Sequence, residues 1–214
     1  LWLLVSAASR SEWTDIHDKL QSKAILRTFE AVRDRFARDV ARHELQHRLD
    51  AQRTKECTLE QACDAIKIPA LIGKRTGFHD GDKAYFNTSA VRVWDETSAY
   101  LAEMTAPESM PKMTILSLLR MVLDRNEWGD TYCTTSIALL EALSDEFGLS
   151  DPQYPLVQGG YIQRSAVSSL AVLLFSKSDA DLRDAAAKAW RKLYGADIAQ
   201  PAIAIGKENK RWRH

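Results

Sequence analysis

Apolar residues in the first quarter of the chain recur at steps of three and four. Trp13, Ile16 and Leu20 form one set; Ile25, Phe29, Val32, Phe36 and Val40 form a second. This period places each set on one face of an α-helix. Ser9-Arg10-Ser11-Glu12 stands just ahead with the spacing of a capping box. The pattern predicts a long helix over residues 10–53, about 60 Å from end to end, with a kink near Gln21-Ser22. With Phe36 at zero on a helical wheel, Val40 falls at about +40°, His43 at about −20° and His47 at about +20°. The stripe Phe36, Val40, His43 and His47 is therefore expected to face the core, with Leu45 and Leu49 on the opposite side.

Beyond this arm the pattern breaks and then becomes regular. Thr58-Leu59-Glu60-Gln61 has capping-box spacing and predicts a short helix ending before Pro69. Residues 73–89, with Gly73, Gly77 and Gly81 among charges, predict a loop with a short strand at Ala84–Phe86. A helix is predicted from Ala90 to Met104, broken by Pro107 and Pro111, and four more over 113–125, 131–147, 160–176 and 179–194. Gly148 and Gly195 follow helices as C′ residues do, and Ser178 is a good N-cap. The organisation expected is an arm, short helix and loop over 1–89, a helical bundle or hairpin array over 90–195, and a tail over 196–214. The fold class is all-α.

Composition supports that class. Nine Gly and six Pro in 214 residues supply too few turns for an all-β chain. Twenty-nine basic residues balance 29 acidic ones, which favours neither nucleic acid nor an anionic membrane as partner. No apolar run reaches the length of a spanning helix. Three cysteines (Cys57, Cys63 and Cys133) argue against a disulfide framework and for a reducing, intracellular compartment, cytoplasm or organelle matrix. Leu1–Ala8 reads as a short buried N-terminal segment of a processed chain or a fragment, and Asn87-Thr88-Ser89 is a formal glycosylation sequon. The tail ends in Arg211-Trp212-Arg213, a candidate anchor for a partner.

The candidate chemistry sits on the arm. His43-Glu44-Leu45-Gln46-His47 places two imidazoles four residues apart on one helix face, the spacing that lets both bind one metal ion. The segment resembles the HExxH signature of the zincin metallopeptidases. That resemblance implies zinc held by His43 and His47 with Glu44 as general base. Val40 and Leu49 fit the extended motif, whereas Arg48 is charged where the family is uncharged, and the segment before the motif reads as helix where zincins place a sheet. A glutamate third ligand would come from Glu60, Glu96 or Glu103. A second arrangement folds the chain back near Lys55 and brings Cys63, and with it Cys57, to the histidines as a structural zinc site. A third leaves the histidines without metal, packed and hydrogen-bonded to Glu44, Asp39 or Asp50.

The helix starts at 113 and 160, and at 131 and 179, stand 47 and 48 residues apart. With the run Ser178-Asp179-Ala180-Asp181-Leu182-Arg183-Asp184-Ala185-Ala186-Ala187, residues 113–195 resemble HEAT-repeat hairpins. The resemblance implies stacked helices that expose surface to protein partners. The sequence therefore favours a non-catalytic helical scaffold, adaptor or subunit of a larger assembly, without a cofactor. A zinc-dependent metallopeptidase or other hydrolase is the alternative.

Overall fold

A computed structural model describes residues 23–55, 57, 63, 65–79, 81–85, 88–124 and 130–201. The described residues are mainly helical: α1 (Lys23–Arg53), α2 (Ala70–Thr76), α3 (Ser89–Thr105), α4 (Pro111–Leu123), α5 (Thr131–Glu146), α6 (Arg164–Phe175) and α7 (Asp179–Tyr194). A two-stranded hairpin, β1 (Val157–Gln158) and β2 (Tyr161–Ile162), precedes α6 and pairs Val157 with Ile162. The chain divides into two compact units, residues 1–37 and 38–214, and α1 runs through the division. No described helix is long and apolar enough to cross a membrane.

In the first unit the described part is the start of α1. Ile25, Leu26, Val32 and Phe36 are exposed along it. The predicted kink, the capping box at Ser9 and the set Trp13, Ile16 and Leu20 lie outside the described residues, as do Leu1–Ala8, Glu60, Asn87 and Arg211–Arg213.

In the second unit the main core is built on α3, α4, α5 and α7. Leu101 and Met104 of α3 meet Leu118 of α4, Leu139, Leu140 and Leu143 of α5, and Leu182 and Trp190 of α7. These side chains are almost fully removed from water, and each contributes about 1.5–3 kcal/mol relative to exposure. Helix α6 adds Val167, Leu170 and Leu174. A smaller core gathers Cys63, Ile66, Ile72, Ala84, Val91, Val93 and Trp94. The two meet at Tyr194, whose hydroxyl donates to the Trp94 carbonyl at 2.9 Å.

The helix ends follow local chemistry. Ser178 caps α7 in a full capping box with Asp181, and Gly195 closes it. Asp130 caps α5 and Thr88 caps α3. Four expectations are corrected. Residues 65–69 are not helical and a helix starts at Ala70 instead. Gly73, expected in a loop, lies within α2, where a Cβ would stand 2.6 Å from the Phe78 carbonyl oxygen and only glycine fits. The helix expected from residue 160 begins at Arg164, because Gly159 and Gly160 both take positive φ and turn a β-hairpin ahead of it. Ala84 and Tyr85 form no strand.

The cysteines also depart from expectation. Cys57 and Cys63 are joined in a disulfide, while Cys133 is free and buried. The short crosslink ties the chain leaving α1 to the smaller core, where the Cys63 amide donates to the Ala84 carbonyl.

Candidate functional site

The facing of α1 differs from the one its apolar pattern predicts. Phe36 and Val40 are 44% and 42% exposed. The buried residues of this helix in the second unit are Asp39, Arg42, Gln46 and Asp50, all at 2% or less. On an ideal helix they centre about 80° round from the expected stripe. They are buried because each finds partners. The Asp39 carboxylate accepts from the Met110 amide at 3.0 Å. Arg42 donates to Gln46 and to the Ala199 carbonyl, and Gln46 donates to both oxygens of Asp50. Ser98 of α3 donates to Asp50 at 2.5 Å. Burial lowers the Arg42 pKa and raises that of Asp50. Part of the expected tail is thereby pinned: Ala199 serves Arg42, and Gln200 donates to Thr105.

His43 and His47 sit at the edge of this buried face, their side chains 13% and 23% exposed. Opposite them is α3. Glu96, Tyr100 and Glu103, spaced four and three residues apart, share one face of that helix. The Nε2 atoms of the two histidines lie 3.1 Å apart. The Glu96 carboxylate stands 3.6 Å from Nε2 of His43 and 3.9 Å from Nε2 of His47. Behind the rings, Nδ1 of His43 is 3.3 Å from Glu103 and Nδ1 of His47 is 2.9 Å from Asp95. Neither Nδ1 is aligned for a directed hydrogen bond, so these are contacts of charge. Glu103 is itself fixed by Thr114, which donates to it at 2.6 Å. Tyr100 packs edge-on against His43, with ring centroids 4.6 Å apart.

The electrostatics follow from this crowding. Burial opposes a charge on His43, but Glu103 and Glu96 outweigh it and raise its pKa to about 9. Asp95 raises that of His47 against burial and against His43. Burial holds Tyr100 in its protonated form. Two imidazoles that share one short Nε2 contact cannot both carry a proton there, and three carboxylates surround them. Those carboxylates favour added positive charge on or between the rings, which a proton supplies and a metal ion could supply.

The donor set fits a metal. His43, His47 and Glu96 are the described residues whose ligand atoms converge, all within 4.8 Å of one another. Donors on a tetrahedral zinc ion at about 2.0–2.1 Å stand about 3.3–3.4 Å apart, and the two nitrogens are close to that spacing. Two histidines and one carboxylate leave a fourth position open, as catalytic zinc sites do. The carboxylates behind Nδ1, at 3.3 and 2.9 Å, stand on the side where outer partners of metal-binding histidines are found.

The sequence-nominated residues divide accordingly. His43 and His47 come together, with Glu96 and Glu103 from the glutamates named beside them. Glu44 is on the same helix, exposed to solvent. Cys63 is not among the ligand atoms that converge with the histidines; it is held in its disulfide with Cys57 and packed in the smaller core. Asp39 and Asp50 serve the buried ladder and not the histidines. Asp95 and Tyr100 escaped notice. Their signal was the pair Asp95-Glu96 followed at helical spacing by Tyr100 and Glu103. The chain matches no known family model, no curated protein and no solved structure.

Proposed function

We propose that the protein is a zinc-dependent hydrolase of the metallopeptidase class. His43, His47 and Glu96 would hold the ion, with Asp95 and Glu103 as outer partners. The observation that carries this reading is the convergence of Glu96 on both Nε2 atoms of an HExxH helix. Glu96 would then be the third ligand, chosen among Glu60, Glu96 and Glu103 by its distance to both rings. A bound zinc ion contributes Lewis acidity, polarising a carbonyl and acidifying water. The protein contributes the rest. Glu44, one residue after His43 and open to solvent, would take a proton from an attacking water. Asp95 and Glu103 favour donor protons on both Nδ1 atoms, leaving both Nε2 atoms free to coordinate.

The test is zinc content and cleavage of a fluorescent casein and a mixed peptide pool by the zinc-loaded chain. Glu44→Gln should keep the metal and lose cleavage by about 100-fold or more. Stoichiometric zinc with no cleavage by the wild type would make the ion structural and end the hydrolase reading.

A second reading is favoured by a separate observation. Ile25, Leu26, Val32 and Phe36 stand exposed on the part of α1 in the first unit. Four exposed apolar residues on one helix suit a scaffold or subunit that docks a protein partner there. This reading loses its basis if Val32→Glu leaves capture of every native partner unchanged.

A further inference from the structure

Helix α1 and the rest of the second unit share no apolar core. Among the described residues, no side chain of α1 belongs to the main core or to the smaller one. Its attachments are polar. Asp39 accepts from the Met110 amide, Arg42 donates to the Ala199 carbonyl, and Asp50 accepts from Ser98. The two histidines face carboxylates of α3. Bonds of this kind are exchanged for bonds to water when a helix lifts away, so each holds it down only modestly.

The apolar anchor of α1 lies just beyond its end. Cys57 packs against the smaller core and is bonded to Cys63 within it. Cys63 is fixed there by its amide, which donates to the Ala84 carbonyl at 2.9 Å. The chain from α1 to Cys57 is hydrogen-bonded in turn: the Thr54 amide donates to the Asp50 carbonyl, and the Cys57 amide to the Thr54 carbonyl. Freedom at Cys57 therefore becomes freedom in the last turn of α1, where Asp50 stands. The crosslink spans a sequence separation of six. So short a loop takes less entropy from the unfolded chain than a long one, which makes the effect of the bond chiefly local.

We infer that the Cys57–Cys63 disulfide is a redox-operated clamp on α1, holding the helix against α3 when oxidised and releasing it when reduced. A dithiol reductant operates it. One reductant thiolate attacks Sγ of Cys57, which is half-buried where Cys63 is buried. The Cys57–Cys63 bond breaks, and Cys63 leaves as a thiolate and takes a proton. The second reductant thiolate then displaces Cys57, which takes the other proton. The protein gains two thiols, and the reductant departs as its own disulfide. His43 and His47 ride on α1 and Glu96 on α3, so release parts the candidate ligands. That consequence rests on the zinc reading; the clamp does not.

Hydrogen exchange read by mass spectrometry on the full chain, with and without dithiothreitol, tests the clamp. On reduction, amides of residues 39–53 should exchange at least about tenfold faster, while those of residues 137–143 in α5 keep their rate. Cys57→Ala combined with Cys63→Ala should show the reduced pattern without reductant and no further response to it. Slow exchange in α5 verifies that this variant folds. Zinc leaves as α1 lifts from α3, so the variant should release it to a chelator faster in the same proportion. Unchanged exchange on reduction overturns the clamp. So does an acceleration shared equally by α5, which is loss of global stability. Faster exchange with equal zinc release would cut the clamp's link to the site. A chain that binds no zinc at all sinks the zinc reading, and exchange alone then decides the clamp.

Discussion

Helix α3 meets α5 and α7 along one seam and α1 along another, and the two share almost no chemistry. Towards α5 and α7 it presents Leu101, Ala102 and Met104, which pack against leucines and Trp190. Towards α1 it presents Asp95, Glu96, Ser98 and Glu103, which meet two histidines and a buried aspartate. The first seam is held by removal of apolar surface from water and is indifferent to pH and ions. The second is held by pairing of polar groups, each of which is costly to bury alone. A helix docked in this way can present half-buried histidines to an ion without dissolving the core beside it.

The contrast can be broken at its polar side first. Asp50→Leu leaves Arg42 buried without its nearest opposite charge and should cost about 3–5 kcal/mol in urea unfolding. Arg42→Met and Gln46→Leu combined with Asp50→Leu should recover most of that loss, because the buried ladder is dispensable once its linked polar groups go together. On the apolar side, Leu143→Ala should cost about 2–5 kcal/mol by opening a cavity, and no second substitution at a charged position will rescue it.

Salt and proton conditions separate the seams next. In the metal-free protein the His43 pKa is raised to about 9 by its carboxylates. A raised pKa stabilises the fold fully below the unfolded value near 6.5, and that stability is lost as pH rises through 9. The metal-free melting temperature should thus fall between pH 6.5 and 9.5, by the equivalent of up to about 3 kcal/mol. His43→Gln should flatten the profile. The smallest effect sharpens the facing of α1: Val40→Ala, at an exposed site, should change stability by no more than about 0.5 kcal/mol, where a packed valine would cost more.

The same contrast explains what was legible in the sequence. Helices α3 to α7 stand close to where apolar periodicity placed them, because apolar groups form their seams. Periodicity also placed α1 as a helix but misjudged its facing. There the apolar positions point outward and the ladder Asp39, Arg42, Gln46 and Asp50 points in. No propensity foretells burial of an arginine whose partners are Gln46 beside it and Ala199 at the far end of the chain. At the candidate site the HExxH pair was visible at once. The choice among Glu60, Glu96 and Glu103 was not, because it depends on α3 lying against α1. Cys63 was misassigned for the same reason: its partner Cys57 is six residues away, but its surroundings come from Ala84, Val91 and Trp94.

The central claim is that α1 and α3 together form a metal centre, and zinc stoichiometry tests it most directly. The wild-type chain, purified with zinc and dialysed against metal-free buffer, should retain one zinc per chain by plasma mass spectrometry. His43→Ala and His47→Ala should retain none, Glu96→Ala well under half, and Glu60→Ala a full equivalent. A wild type without zinc, or a Glu96→Ala variant that holds it as tightly as the wild type, would contradict the account.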